Sequence, residues 1–286
     1  MLTILTTGTA YALPLSNPAE STLFTDGIFC KSLGGCDMRD PCFSFWQAWS
    51  VRVGFYGDYV FNRHMTVATA GHPNIDCTQV FTNAGYLVFN ICNRVDLFAT
   101  LGATNIQFHN SLKAFPNNGA TQIDREQNIA VFFDPAFSWS IGGRANILHI
   151  GCFSVGVEGQ YFRTNPDYNY VLSGRDGLQT YIDDQSAVYH EWQVGIGAAY
   201  CFEVCSPEIS IIPYVGTSWS DAHLDTGNFQ LTLTPDPTVT FLGLQTQKRW
   251  AYIVGGTLTL YEMIGVTVEG RFGSEKALYA MGEFRF

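Results

Sequence analysis

The last ten residues of the chain, 277–286, alternate between two kinds of side chain and end on a phenylalanine. Successive side chains of a β-strand point to opposite faces, so a period of two predicts a strand with two different surfaces. One surface of this segment is apolar, and the other carries its charged residues. The apolar set is Leu278, Ala280, Gly282, Phe284 and Phe286, and the opposite set is Tyr279, Met281, Glu283 and Arg285. Such a strand is suited to a boundary between an apolar and an aqueous environment.

The same alternation returns in segments 49–61, 87–101, 139–161, 192–219 and 252–272. In each segment one row is apolar, and the other row contains the charges. An arginine at the middle of a bilayer costs about 2–4 kcal/mol, so arginines confined to the polar rows favour lipid-facing apolar rows. These arginines are Arg52, Arg144, Arg271 and Arg285. Aromatic residues near strand ends predict interfacial girdles, formed by Trp46, Trp49, Trp139, Trp192, Trp219, Tyr59 and Tyr161.

Composition narrows the fold class. Apolar residues make up 47% of the 286 residues, yet no apolar run approaches the roughly 18 residues that a membrane-spanning helix needs. Only helices and closed barrels satisfy their backbone in a bilayer, so we predict an all-β fold: a transmembrane antiparallel β-barrel of about 16 strands, with about 12–14 as alternatives. That count includes the weaker segments 106–115, 128–134, 167–173, 178–183, 226–233 and 238–246. At about 16 strands a barrel can hold an aqueous channel. A soluble antiparallel sandwich or barrel also alternates and stays open as the alternative.

Three regions are predicted along the chain. Residues 1–12 are apolar and end Ala10-Tyr11-Ala12, which is typical of a signal peptide, although the missing Lys and Arg indicate a truncated one. Residues 13–45 are rich in Pro, Gly and Cys and predict an irregular lead-in that lies partly in the lumen. Residues 46–286 form the predicted barrel. Export together with a transmembrane barrel whose last strand ends on Phe predicts a location in the bacterial outer membrane.

Charged residues of the polar rows are the candidate pore-lining residues. They could set a field across the lumen that filters solutes by charge, or they could only solvate the wall. The set is Arg52, Asp58, Asp96, Arg144, Glu158, Glu191, Glu269, Arg271, Glu283 and Arg285. The segment 105–128 contains Lys113 and Asp124 and could fold inward as a constriction loop or remain an ordinary external loop.

Eight cysteines are the clearest chemical feature, and they are usable as crosslinks only outside the cytosol. The disulfide candidates are Cys30, Cys36, Cys42, Cys77, Cys201 and Cys205. Cys92 and Cys152 lie near strand ends and could as easily be small apolar fillers. A zinc site is not expected, because paired CxxC or HxxxH spacings are missing, and no other metal or cofactor is indicated.

Several collinear blocks of the chain are similar to the chlamydial major outer membrane porin family, which consists of cysteine-rich, trimeric outer-membrane porins. They are Leu13-Pro14-Leu15-Ser16-Asn17-Pro18-Ala19-Glu20, Asp26-Gly27-Ile28, Asp40-Pro41-Cys42, the segment from Arg52 to Phe61, Asn90 to Thr104, Phe137 to Ala145, Tyr189 to Gln193, Pro213 to Gly216, Trp219-Ser220 and Glu283 to Phe286. The segments after Arg63, between Arg163 and Val188, and between Leu224 and Gln247 are compact compared with the long surface loops of that family.

The resemblance implies a general diffusion porin for ions and small hydrophilic solutes. It also implies a homotrimer in outer-membrane lipid, crosslinked by disulfides to other cysteine-rich envelope proteins. Phe284 and Phe286 of the terminal strand are the expected assembly signal for the barrel assembly machinery. An adhesin or structural barrel without a working pore, and a barrel enzyme with its site on surface loops, remain alternatives.

Two classes of function are disfavoured. The formal net charge is −10, and a chain without a Lys/Arg cluster is a poor partner for nucleic acid. No nucleophile elbow, P-loop or dinucleotide fingerprint is present in the sequence, so an enzyme is not expected.

Overall fold

The computed structural model describes residues 13–23, 49–68, 75, 77–112, 127–173, 178–204, 209–227, 230–232, 238–240, 242–261 and 263–285. Within these ranges almost every residue is in a strand. The one helix among them is α1 (Glu20–Leu23), and no helix there has the length and apolar character to span a membrane. The predicted signal peptide and most of the predicted lead-in lie outside the described residues.

The strands follow one another through the rest of the chain. They are β1 (Trp49–Arg63), β2 (Met65–Val67), β3 (Cys77–Ile91), β4 (Val95–Leu112), β5 (Gln127–Phe133), β6 (Ala136–Ile150), β7 (Phe153–Thr164), β8 (Tyr168–Ser173), β9 (Leu178–Tyr181), β10 (Val188–Tyr200), β11 (Phe202–Glu203), β12 (Ile209–Asp225), β13 (Gln230–Thr232), β14 (Thr238–Thr240), β15 (Leu244–Thr246), β16 (Trp250–Leu260), β17 (Ile264–Phe272) and β18 (Glu275–Arg285).

Sixteen of these strands form one antiparallel sheet, which confirms the predicted fold class and strand count. Ten of them close a ring in the order β1, β3, β4, β6, β7, β10, β12, β16, β17 and β18, with β18 paired back to β1. The other six, β2, β5, β8, β9, β11 and β15, extend the sheet from the ring. These six are two to seven residues long, whereas the ring strands have 9 to 18 residues. Only the longer strands reach the roughly ten residues that a tilted span requires.

The two faces of the ring strands differ as the alternation predicts. In β18, every second residue from Glu275 to Arg285 is buried, and the residues between them are exposed or, at Gly282, intermediate. Phe55 in β1 is 60% exposed while its neighbour Tyr56 is 4% exposed. The outward face is therefore apolar and the inward face carries the polar side chains, which is the arrangement of a barrel in lipid.

Connections between ring strands have two to eight residues at one end of the ring, whereas at the other end only the connection at residues 273–274 is short and the rest have 13 to 24 residues. β3 and β4 are joined through Cys92–Arg94, as predicted, and β6 and β7 through Gly151–Cys152. Asn93 and Gly151 adopt positive φ angles of 50° and 58°, which favours the turns that match the twist of a two-strand hairpin. Residues 49 and 285 lie at the same end. Short turns of outer-membrane barrels face the periplasm, so this end is the periplasmic rim and the opposite end is the outer rim.

Candidate functional site: the barrel lumen

All ten predicted pore-lining residues lie on the inward face of the ring. None of Arg52, Asp58, Asp96, Arg144, Glu158, Glu191, Glu269, Arg271, Glu283 and Arg285 is more than 5% exposed. Burial of so many ionised groups is tolerated only when each charge is paired. Ion pairs place nine of them in two groups at different heights in the lumen, whereas Arg285 donates a hydrogen bond to the Asn93 side chain at 3.4 Å.

The first group, the inner ion cluster, lies toward the periplasmic rim and contains Arg52, Arg144, Glu20, Asp96, Glu158 and Glu283. The Arg52 guanidinium contacts three carboxylates: Glu20 at 3.2 Å, Asp96 at 2.7 Å and Glu283 at 3.1 Å. Arg144 contacts Glu20 at 2.6 Å and Glu158 at 2.7 Å. The contributing strands β1, β4, β6, β7 and β18 lie along one side of the ring, so these ion pairs join strands that are adjacent or one strand apart, and Glu20 connects them to the segment inside the lumen.

The second group, the outer ion cluster, lies toward the outer rim and contains Arg63, Arg271, Asp58, Glu191, Glu269 and Glu275. Arg271 contacts Asp58, Glu269 and Glu275. Arg63 contacts Glu191 at 2.7 Å and Glu275 at 3.6 Å, and its guanidinium also donates a hydrogen bond to the Tyr189 hydroxyl. Glu275 therefore links the two arginines.

Sequence reasoning missed three members of these clusters. Arg63 has the parity of the outward row in β1, but an irregularity of the pairing between Val60 and Arg63 shifts it inward. A β-bulge re-aims the side chains that follow it in this way. Glu275 shares the inward parity of β18, so the alternation contained a signal for it. Glu20 begins the short helix α1, within the segment that the sequence predicts to be irregular, where no strand periodicity points to the lumen.

The buried charges of the lumen do not balance. Among the described residues, eight acidic side chains and five arginines are buried there. In the inner ion cluster, Glu20 Oε2 and Glu283 Oε1 have no hydrogen-bond partner within the described part of the chain. The described part of the lumen thus holds three more carboxyl groups than arginines, and ionised carboxyl groups in excess attract cations and repel anions.

An apolar cluster narrows the outer end of the lumen. It joins inward residues of the ring, such as Phe162 and Tyr189, to side chains of the additional strands, such as Met65, Phe133 and Leu244. This packing explains where the apolar faces of the short strands are buried. Below it, residues 13–23 also lie within the ring, so the lumen is occupied over much of its length.

The remaining candidates are placed as follows. Cys92, which the sequence left open as a filler, is disulfide-bonded. Cys152 is an exposed thiol, and the Cys201 amide donates a hydrogen bond to its carbonyl at 2.8 Å. These three cysteines lie at the periplasmic rim, and Cys77 lies at the outer end of β3 opposite His109. Cys30, Cys36, Cys42, Cys205 and Phe286 lie outside the described residues.

Three further features concern the predicted constriction loop, metal ligation and the terminal strand. Residues 105–112 continue β4, and most of the rest of the predicted constriction loop lies outside the described residues. Within the part of the chain that the structure describes, no group of three or more His, Cys, Asp or Glu side chains is arranged to hold a metal ion. Phe284 is 48% exposed on the outward face of β18.

A closed antiparallel ring with an apolar outer face and a charged lumen defines an outer-membrane β-barrel protein. The sequence model described as Chlamydia major outer membrane protein matches residues 1–73 and 68–173. The chain belongs to this family, and it is a multi-pass barrel of the bacterial outer membrane.

Curated relatives are similar over almost the whole chain. Proteins named major outer membrane porin from Chlamydia abortus, Chlamydia psittaci and Chlamydia pneumoniae are 30%, 29% and 28% identical. The alignments cover 96%, 96% and 98% of this chain and 95% of each relative. The first two alignments run over 380 residues and the third over 378, so the relatives carry insertions that this chain lacks.

Solved structures are more distant. The β domain of the Bordetella autotransporter BrkA is 10% identical and matches 84% of this chain and 100% of its own, with a TM-score of 0.44. The Escherichia coli outer-membrane protease OmpT is 11% identical and matches 83% and 95%, with a TM-score of 0.40.

Proposed function

We propose that the protein is an outer-membrane porin through which ions and small hydrophilic solutes diffuse passively. The observation that carries the proposal is the closed ring with a polar, charged inner face running from Glu283 near the periplasmic rim to Asp58 near the outer rim. A lumen lined in this way lowers the cost of moving a charged or hydrated solute through the apolar layer. The names of the relatives support the same function.

The strand number bears on the width of the pore. Eight strands give an interior filled by side chains, and about sixteen leave an aqueous channel. A ring of ten is close to the filled limit, so we infer a narrow path that admits ions and the smallest solutes. The occupied lumen favours the second candidate, a structural barrel without a working pore.

A planar-bilayer recording separates the two candidates. We expect the purified, refolded protein to give small stepwise conductances, and the reversal potential in asymmetric potassium chloride to show a preference for potassium. The preference follows from the eight buried carboxylates against five arginines. Repeated insertion without current steps would favour the structural barrel, and a chloride preference would contradict the electrostatic argument.

We further propose a structural role in a disulfide-crosslinked envelope, with homotrimers as the assembled form. Support comes from the exposed thiol of Cys152 at the periplasmic rim and from outward apolar rows that suit either lipid or a second copy. Assembly through the terminal strand, with Phe284 and Phe286 as its signal, belongs to the same proposal. Crosslinking partners would be other cysteine-rich envelope proteins.

Cys152→Ser is expected to reduce the high-mass, reductant-sensitive bands that outer membranes give on non-reducing gels, because an exposed thiol is accessible to exchange. Cys77→Ser, at the opposite rim, is the matched comparison. Equal band patterns for the wild type and Cys152→Ser would remove this thiol from the crosslinking proposal.

A further inference from the structure

Residues 13–23 run lengthwise through the lumen. Leu13 belongs to the apolar cluster at the outer end, and the Ser21 carbonyl accepts a hydrogen bond from Asn90 near the periplasmic rim. Asn17 caps the short helix that follows it, since its side-chain oxygen accepts the Ala19 amide at 2.9 Å. Asparagine before proline is a favoured helix start, so the local fold follows from the sequence. Asn17 and Glu20 are completely buried.

The wall of the ring is shaped around this segment. A Cβ added at Gly156 would overlap the Pro18 carbonyl, and one added at Gly195 would overlap the Leu15 side chain. At Gly197 and Gly216 an added Cβ would lie 2.9 Å from Pro18 and 2.8 Å from Leu15. Three neighbouring strands, β7, β10 and β12, contribute these glycines. Glycine in a strand interior often marks a close backbone approach, and here the approaching chain is the segment itself.

Polar contacts hold the segment against other parts of the wall. The Leu15 amide donates to Glu269 at 3.3 Å, and the Asn17 side chain donates to Thr257 at 3.0 Å. Glu20 lies between Arg52 and Arg144, at 3.2 and 2.6 Å. These contacts place the segment in one position along the lumen.

The ion pairs of the wall do not depend on the segment. Without Glu20, Arg52 still contacts Asp96 and Glu283, and Arg144 still contacts Glu158. The segment can therefore leave without stranding a buried arginine. Departure of the segment also removes one carboxylate from a cluster that already has more acids than arginines. The ion pairs of Glu20 can therefore break without leaving a buried arginine unpaired.

We propose that residues 13–23 are a resident plug that occupies a glycine-lined groove in the lumen and must leave it for the pore to conduct. The proposal rests on the porin function proposed above. It assigns a role to the four glycines, to Glu20 and to the short helix that the diffusion function alone does not require.

Two variants are expected to release the plug. Gly156→Ala places a methyl group against the Pro18 backbone, and Glu20→Lys places a cation between Arg52 and Arg144. Loss of a charge-assisted hydrogen bond shifts an equilibrium by about tenfold or more, so we expect the open probability in planar bilayers to rise by about that factor. The matched controls are Gly256→Ala, where an added Cβ meets nothing within 4 Å, and Glu203→Lys on the exposed strand β11. Both should behave like the wild type. An unchanged open probability in both Gly156→Ala and Glu20→Lys would overturn the proposal that residues 13–23 plug the pore.

A disulfide trap reports on the plug without relying on conduction. In Asn17→Cys/Thr257→Cys, a bond between the introduced thiols, identified by peptide mass spectrometry, would place the segment in the groove. We expect oxidation to abolish current steps and reduction to restore them, while the Asn17→Cys single variant and the wild type do not respond. Failure of the bond to form, or an oxidised trap that conducts normally, would overturn the proposal. If the bond forms but no variant gives current steps even after reduction, the proposed porin function is wrong, whereas the placement of the segment in the groove is confirmed.

Discussion

Arg52→Ala is expected to reduce the free energy of unfolding by about 3–5 kcal/mol, because removing one partner of a buried ion pair leaves uncompensated charge. Arg52 is 1% exposed and contacts three carboxylates that are themselves completely buried. After the substitution, the nearest arginine left to Asp96 and Glu283 is Arg144, whose nearest approach to Asp96 is 3.7 Å, and Asp96 also keeps the hydrogen bond from the Asn90 side chain at 2.7 Å. Urea titration of the refolded barrel in phospholipid vesicles, followed by tryptophan fluorescence, measures the loss.

Two comparisons test the electrostatic cause. Arg249→Ala removes an arginine that is 51% exposed and lies 3.3 Å from Asp221, and exposed pairs of this kind contribute about 1 kcal/mol or less. The single variant Arg52→Met leaves the Glu283 carboxylate without its arginine, and the double variant Arg52→Met/Glu283→Gln removes that carboxylate as well. The double variant should therefore be more stable than Arg52→Met. If Arg52→Ala loses no more free energy of unfolding than Arg249→Ala, the ion pairs of the inner ion cluster do not stabilise the barrel as proposed.

Much of the architecture is readable from the alternation alone. A period of two separates inward from outward residues wherever the strand is regular, and in β18 it does so for every described residue. It also predicts the β3–β4 and β6–β7 hairpins, because turn residues interrupt two alternating rows. The burial of the charged rows follows from the same rule, since a bilayer excludes them from the outer face.

Other features depend on information that alternation does not contain. The irregularity before Arg63 inverts the parity of one residue, and nothing in the local sequence marks it. Glu20 enters the lumen through contacts with distant strands. The segments 128–134, 167–173 and 178–183 form strands as predicted, but β5, β8 and β9 join the sheet outside the ring. Periodicity predicts that a segment is extended, whereas membership of the ring depends on strand length and on which edges are available to pair.

The distinction between sheet and ring changes the expected pore. Counting strands along the sequence predicts the sheet of 16, and a ring of that number would be wide. The ring of ten brings inward side chains of opposite walls within contact distance, as the ion pair between Arg63 in β1 and Glu191 in β10 shows at 2.7 Å. A narrow ring can therefore be occupied by a single segment of eleven residues, and the position of that segment determines whether the lumen is open to solutes.

Ile196→Arg is expected to destabilise the barrel in lipid by about 2–4 kcal/mol, the cost of an arginine on the lipid face at the bilayer midplane. Ile196 is 48% exposed on β10, halfway between Trp192 and Tyr200 on the same outward row. At about 3.3 Å per residue, each aromatic ring is roughly 13 Å away along the strand. Rings in these positions mark the two interfaces, and the Trp192 ring also packs 4.5 Å from Tyr161. An arginine at residue 196 is too far from either interface to place its charge fully in water.

Phe202→Arg is the control at another depth. Phe202 is 52% exposed beyond the periplasmic end of β10, where an arginine costs about 0–1 kcal/mol. Urea titrations of both variants in phospholipid vesicles give the difference, and the wild type sets the reference. The cost depends on depth only if the outward row lies in the hydrocarbon layer. Equal stabilities for the two variants would therefore contradict the assignment of this face to lipid, whereas a larger loss for Ile196→Arg would locate the midplane of the membrane on β10.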